Sequence, residues 1–323
     1  MPVVEPGDAR EDLGRRDFTI NAMAIDLWPG RIGALIDLFG GMRDITMKRL
    51  RSLHDKSFQD DPTRILRGLR YEARLGFQFE ARTAEHLKRD VQYLGHVSGP
   101  RIRAELERIL AEPSRAVALA NAEERGVLAA IHPALRVPKR VTDAMTQEPP
   151  PPPAPPGKGG RRAYPHDVLN HVSLIGAGLT DEESHAVVTR LDPPKEWTEV
   201  LLAGPRLRQM LRLLEGPDLR PSEVVDILSS FPVDAIRAQL DLAPATLQRE
   251  RLSAYLERLN AIRPECTGDD LIAAGVPQGP LVGELLDDLK RARLDGLVKS
   301  KDEELAFVRR RLPILQARVA GTQ

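Results

Sequence analysis

Arg64, Arg67, Arg70 and Arg74 fall within roughly 120° of one another when projected at 100° per residue. Ile65, Leu66, Leu69 and Ala73 fall on the opposite side, as an amphipathic helix requires. No acid of this helix interleaves the arginines on their face. Like charges three and four apart repel by a few tenths of a kcal/mol per pair. An uncompensated stripe therefore points to an anion from outside the helix, such as a triphosphate or an RNA backbone. Asp61 stands one turn before Arg64. A carboxylate accepts from an exocyclic amine and a guanidinium donates to ring nitrogens or carbonyls, so the two together can imitate the pairing edge of a base. The same residues also suit a plain helix start, with Asp61 as a cap and an arginine pairing with it. The pattern leaves both readings open.

Asp60-Asp61-Pro62 is a helix-start signal, with acids at the cap and proline in the first turn. That helix is predicted to reach Leu75, where Gly76 stops it. Further helices are predicted at 81–94, 99–111, 113–126 and 142–147. Only residues 20–51 read as partly β: short apolar runs lie between turns at Pro29-Gly30 and Gly40-Gly41. Seven prolines crowd positions 149–156, a run that no helix or sheet accommodates, so an exposed polyproline linker is predicted there. After Tyr164 the chain reads as helical again. Breaks fall at Pro193-Pro194, Gly216-Pro217 and Phe231-Pro232, and a turn at 275–280 precedes a helix at 281–293. No fixed-period repeat is present.

Composition narrows the class. With 41% hydrophobic residues in 323, the chain can bury a core, and disorder of the whole is excluded. Its 47 basic and 47 acidic residues balance, which excludes a histone-like polybasic protein. The basic set is 38 Arg against 9 Lys. Arginine suits planar recognition of phosphates and base edges, although GC-rich coding gives the same ratio. Cys266 is the only cysteine, so neither a disulfide framework nor a cysteine zinc site follows. Aromatics at 4% are too few for base-stacking sheets. No apolar run approaches the ~20 residues of a membrane span, and the first sixteen residues lack the apolar core of a signal peptide. A cytoplasmic protein without membrane contact is expected.

Four segments carry a family resemblance. Arg15-Arg16-Asp17-Phe18-Thr19 is similar to the RRDFT signature of class II tRNA nucleotidyltransferases and bacterial poly(A) polymerases. Asp37-Leu38-Phe39-Gly40-Gly41-Met42-Arg43-Asp44 resembles their D-x-x-G-G-x-x-D stretch. Asp60-Asp61-Pro62-Thr63-Arg64 resembles their nucleotide-selecting E-D-x-x-R helix, with Asp60 in place of Glu. Arg101-Ile102-Arg103-Ala104-Glu105-Leu106 resembles their R-I-x-x-E-L helix start. Farther on, Gly268-Asp269-Asp270-Leu271 and the glycines up to Gly296 are similar to the family's tail.

The resemblance implies a role for each group. Asp61 and Arg64 would read the base of CTP or ATP, with Arg67 and Arg70 on the triphosphate or neighbouring nucleotide groups. Arg16 and Asp17 would contact sugar and phosphates. Asp60 would steady the selecting arginine, and Arg101 and Glu105 would brace the neck helices. In the family a glycine-rich strand and an Asp-x-Asp pair, which hold the catalytic Mg²⁺ ions, precede the RRDFT motif by tens of residues. Here fourteen residues precede Arg15, and their carboxylates, Asp8, Glu11 and Asp12, lie in a turn-rich segment. No metal ligand is therefore expected in this chain, Asp37 and Asp44 being the first acids to test otherwise. His166-Asp167 and His171 resemble the opening of an HD-type phosphohydrolase helix, but no second His-Asp doublet follows.

The expected fold is mainly α: a short α/β remnant of a nucleotidyltransferase head, then helical neck, body and tail. The expected divisions are a head remnant at 1–55, a neck at 56–146, a linker at 147–163, a body at 164–215 and a tail at 216–323. The expected function is CCA or partial CCA addition at tRNA 3′ ends, with ATP and CTP as substrates. This chain would supply nucleotide selection and tRNA binding, and possible partners include a separate chain carrying the missing head. The alternatives are an inactive RNA-binding descendant, one half of a split enzyme, or a poly(A) polymerase.

Overall fold

Apolar residues at helical spacing build nearly every element, and the computed structural model describes residues 8–147, 166–244 and 246–320. The proline run at 149–156 lies outside the described residues. Two compact units divide the chain, Met1–Pro205 and Arg206–Gln323. The protein is mainly α, with a small mixed segment ahead of the helical neck and body.

In the first unit, α1 (Ala9–Gly14) opens on a capping box in which Asp8 and Glu11 exchange side-chain and backbone bonds. The segment expected to be turn-rich is thus a short helix. An antiparallel pair, β1 (Ala24–Ile25) and β2 (Leu35–Ile36), follows, and then α2 (Gly41–Thr46). Strand β3 (Arg49–Leu50) pairs in parallel with β4 (Gln78–Phe79) across the helices α3 (Ser57–Asp60) and α4 (Thr63–Leu75). Strand β4 falls where the sequence pattern shows only a break between helices. Helices α5 (Ala81–Asp90), α6 (Gly99–Leu110), α7 (Arg115–Glu124), α8 (Val127–Ile131) and α9 (Lys139–Gln147) come next. Helices α10 (His166–Gly176), α11 (Asp181–Leu191) and α12 (Lys195–Leu211) follow, the division between units falling inside α12.

The D-x-x-G-G-x-x-D stretch is architectural. Asp37 caps α2, accepting from the Gly41 and Met42 amides at 2.7 and 2.9 Å. Burial opposes its charge, but these amides outweigh that and hold its carboxyl below the ordinary value. Asp44 is buried, accepting from the Thr19 hydroxyl at 2.6 Å and from Arg51 at 2.9 Å. A Cβ on Gly41 would lie 2.4 Å from the Thr19 carbonyl, so only glycine lets the two segments close. Asp44, through Thr19, thereby fixes the RRDFT segment against α2, whose start Asp37 caps. Phe18 is fully buried, ringed by Phe58, Tyr71 and Phe79 at centroid distances of 6.1 to 6.4 Å. Gly68, on the inner face of α4, admits the Phe18 and Phe79 rings where a Cβ would clash at 2.8 and 2.7 Å.

The second unit holds α13 (Pro221–Leu228), α14 (Val233–Leu242), α15 (Leu247–Glu257), α16 (Gly268–Ala273), α17 (Pro280–Leu294) and α18 (Lys301–Ala320). Cys266, Leu271, Val276, Leu285, Leu289 and Val308 form one of its cores. Glu304 is buried beside them, accepting from the Cys266 amide at 2.7 Å and from Arg293 at 2.6 Å. Burial opposes its charge, and these donors reverse the balance and leave its pKa lowered. Lys301, with help from Thr267, takes Asp270 down to about 2. Depressed carboxyl pKa values stabilise the fold above their unfolded values and lose that effect as pH falls through the folded ones. Thermal melts followed by circular dichroism should therefore show a falling melting temperature from about pH 4.5 down to about 2. A flat profile over that window would dismiss these bonds as stabilising. Among the described residues no helix is long and apolar enough to cross a membrane.

Candidate functional site

The RRDFT segment and the entry to α4 enclose a cleft of about 560 Å³. Its walls are Asp12, Arg15, Arg16, Asp17, Asn21, Asp61, Arg64, Arg67 and Tyr71. Five of the six residues expected to bind nucleotide thus come together: Arg16, Asp17, Asp61, Arg64 and Arg67.

The local fold sets each of them. Asp61 is extended, with φ −145° and ψ 95°, and separates α3 from α4. Its Oδ1 accepts from the Thr63 amide at 3.1 Å, the Thr63 hydroxyl at 2.6 Å and Arg101 at 2.9 Å. Asp61 therefore does start the helix, and the arginine it pairs with is Arg101 of α6, not Arg64. Its Oδ2 has no partner among the described residues. Arg64 meets no carboxylate there either: Nη1 donates to the Ser57 hydroxyl at 2.7 Å and Nη2 to the Arg15 carbonyl at 2.7 Å.

Asp17 is buried to 2% side-chain exposure and pairs with Arg67 at 2.6 Å. It also accepts from the Phe18 amide and the Asn21 amide group, both at 2.9 Å. Burial disfavours the Arg67 charge, but Asp17 outweighs it and raises the guanidinium above its ordinary value. Arg16 reaches Asp12 at 3.3 Å and the Asn21 carbonyl at 3.4 Å. Arg15, with Arg16 behind it, holds the Asp12 carboxyl below its ordinary value.

Arg70 departs from the expectation. It pairs with Glu112 at 3.2 Å and covers the Tyr71 ring at 4.8 Å, outside the cleft wall. Arg74 shares Glu112 at 3.3 Å. Three of the four arginines of the stripe thus meet acids from other elements, two of them sharing the single carboxylate of Glu112, which a projection of one helix cannot show. Of these four arginines only Arg64 meets no carboxylate among the described residues. Asp60 ends α3 and lies 3.6 Å from His54, with no bond to Arg64. Arg101 bridges α6 to Asp61, and Glu105 pairs with Arg108 on its own helix while its charge also favours the Arg67 guanidinium of α4.

The acids of the cleft, among the described residues, do not fit a divalent metal. Among the described residues no three His, Cys, Asp or Glu side chains cluster to hold one, and Asp12, Asp17 and Asp61 are each paired with arginine. Asp37 and Asp44 have the architectural tasks given above. In the helix resembling an HD-type opening, His171 is buried, and the later His185 is exposed, bonding the Asp181 carbonyl at 2.8 Å.

Comparison with known proteins follows this geometry closely. Residues 3–51 match the sequence profile described as the poly A polymerase head domain, and residues 76–137 match that of the probable RNA- and SrmB-binding site of polymerase A. The multifunctional CCA protein of Xanthomonas campestris is 31% identical over 324 residues, covering 88% of this chain and 77% of the relative. The chain belongs to the class II tRNA nucleotidyltransferase and poly(A) polymerase family. The A-adding tRNA nucleotidyltransferase of Geobacter sulfurreducens is 30% identical over 94% of this chain, but the chain spans only 36% of that relative's length. Among solved structures, the Thermotoga maritima CCA-adding enzyme complexed with tRNA superposes with a TM-score of 0.74 at 28% identity, covering 94% of this chain and 74% of that one. Solved CCA-adding enzymes also include complexes with ATP and with CTP.

Within this nucleotidyltransferase framework, sequence reasoning missed several cleft residues. Tyr71 lies two turns after Arg64 and one after Arg67, so the same projection would have placed it on the arginine face. Ser57, Asp12 and the Arg15 carbonyl carry no such signal, because a helix break or a loop separates them from Arg64. Glu112 lies far along the chain and announces itself by no spacing.

Proposed function

We propose that this chain supplies nucleotide selection and tRNA holding for cytoplasmic nucleotide addition, CCA or part of it, at tRNA 3′ ends. ATP and CTP are the substrates and the tRNA 3′ end is the acceptor. The observation that carries this reading is Arg64. It stands in the cleft wall with no carboxylate partner, and the unpartnered Oδ2 of Asp61 belongs to the same wall. A donor edge and an acceptor atom side by side match the pairing edge of a base. Arg16 and Arg67 line the same wall with their charges shared by Asp12 and Asp17, so Arg64 is the arginine left to meet an anion there. The metal ions of the reaction would be held by carboxylates of a head segment outside these 323 residues, supplied in the same polypeptide or by a separate chain.

The hairpin supports that partner. Half of the exposed large apolar side chains among the described residues lie between Ile25 and Met47. Ile25 and Leu35 face each other across the β1–β2 pair at 63% and 51% exposure, and Trp28 at the turn is 69% exposed. The pair forms a two-stranded sheet with open edges, the form that accepts a further strand. Its occupant is the rest of the head, whose strands would cover these side chains.

Holding tRNA requires net positive charge where the RNA lies. Residues 43–108 contain fifteen basic and ten acidic side chains, an excess of five in a chain of zero net charge. Affinity of the purified chain for tRNA should fall with salt, with a log–log slope of roughly −3 to −5. A flat slope would show that the internal ion pairs consume the arginines and would refute tRNA holding by this region.

A further inference from the structure

Arg64 is held by oxygen atoms without formal charge, unlike the arginines around it. Arg67, Arg70, Arg74 and Arg101 each meet a carboxylate. A carboxylate would offset the Arg64 charge and occupy its two-donor edge. A hydroxyl and a carbonyl do neither. With Nη1 on Ser57 and one hydrogen of Nη2 on Arg15, the Nε hydrogen and the other Nη2 hydrogen have no partner among the described residues. They remain as donors on a residue that lines the cleft.

Ser57 grips both members of the selecting pair. Its hydroxyl accepts from Arg64 at 2.7 Å, and its carbonyl accepts from the Asp61 amide at 3.3 Å and again from Arg64 at 3.4 Å. The side chain is buried at the first position of α3, and its own amide donates to the His54 carbonyl at 3.2 Å. Ser57 is therefore fixed independently of the residues it orients. We propose that Ser57 is a positioning residue that sets Asp61 and Arg64 relative to one another, and thereby sets which bases the cleft accepts. This rests on the nucleotide-selecting reading above. Without the hydroxyl, Arg64 keeps its charge, its bond to the Arg15 carbonyl and the long 3.4 Å bond to the Ser57 carbonyl, but loses its shortest Nη1 anchor, so its guanidinium is less firmly oriented. Phosphate attraction survives such loosening; alignment with a base edge does not.

The test is calorimetric binding of CTP, ATP, UTP and GTP to the 323-residue chain, its Ser57→Ala and Arg64→Ala variants, and the double variant. The wild type should favour CTP or ATP. Ser57→Ala should reduce that preference roughly tenfold, the scale of a hydrogen bond to a charged group, while overall triphosphate affinity changes less. In the Arg64→Ala background, Ser57→Ala should add nothing, since the hydroxyl then has no guanidinium to orient. Circular dichroism melts establish that each variant is folded. An unchanged preference in folded Ser57→Ala overturns the proposal. So does an effect of equal size in the Arg64→Ala background, which would mark a general disturbance of α3. A wild-type chain with no base preference instead overturns the selecting reading itself, and the positioning role falls with it.

Discussion

Purified polypeptide 1–323, incubated with tRNA, Mg²⁺ and labelled CTP or ATP, is expected to incorporate no label on its own. Nucleotidyl transfer passes through a charged, in-line transition state stabilised largely by metal ions between paired carboxylates. The cleft contributes arginines proposed to bind nucleotide, and binding shared equally by ground and transition states does not accelerate chemistry. Its acids are paired with arginines, and no metal-holding group forms among the described residues. A metal site worth several kcal/mol of barrier corresponds to a rate difference of about a thousandfold or more. Supplying a head segment, for example that of the Xanthomonas relative fused upstream or added as a second chain, should restore incorporation. Complementation should run through the apolar hairpin. Burying half of the exposed Ile25, Leu27, Trp28, Ile32 and Leu35 surface is worth roughly 5 kcal/mol, so Trp28→Asp with Ile32→Asp should abolish it and leave nucleotide affinity unchanged. Robust incorporation by the unsupplemented chain would overturn this assignment of the metal ligands.

What the sequence discloses and what it hides follow one physical rule. Interactions within one element are legible: the helix from Thr63 to Leu75, its left-handed stop at Gly76 and its arginine face all follow from local spacing. Asp61 as the helix starter was also legible, since an Asx side chain bonds the amide two residues on. Pairings between distant elements leave no local trace. Glu112 reaches back to Arg70 and Arg74, and Arg101 reaches Asp61 across forty positions. The parallel pairing of β3 with β4 depends on the intervening helices to bring two-residue strands together, and two residues carry no period. The family motifs supplied what periodicity could not, a reason to group Arg16 and Asp17 with Asp61 and Arg64, and the cleft brings them together. They did not anticipate that Arg70 is turned aside, because a motif records residue types and not the partner each side chain finds.

That difference between arginines yields the second large effect. Arg64→Ala should leave the melting temperature nearly unchanged and lower CTP and ATP affinity roughly tenfold or more, the worth of a bidentate base contact. Its lost partners, a hydroxyl and two carbonyls, carry no formal charge, so no buried ion is left stranded. Arg67→Ala should behave in the opposite way. Asp17 is 2% exposed and Arg67 36%, so removing the guanidinium strands a buried carboxylate that retains only the Phe18 amide and Asn21 as donors. Breaking a fully buried pair costs about 3–5 kcal/mol, and the partial exposure of Arg67 scales that to roughly 2–3 kcal/mol. The double variant Asp17→Asn with Arg67→Met should recover much of the loss, because the charge that needed a partner is then absent. Denaturant unfolding and nucleotide titration of the same four proteins separate the two roles. Equal stability losses at Arg64 and Arg67 would show that the selecting arginine is a structural bracket, and unchanged nucleotide affinity in Arg64→Ala would reduce Asp61 to a helix cap.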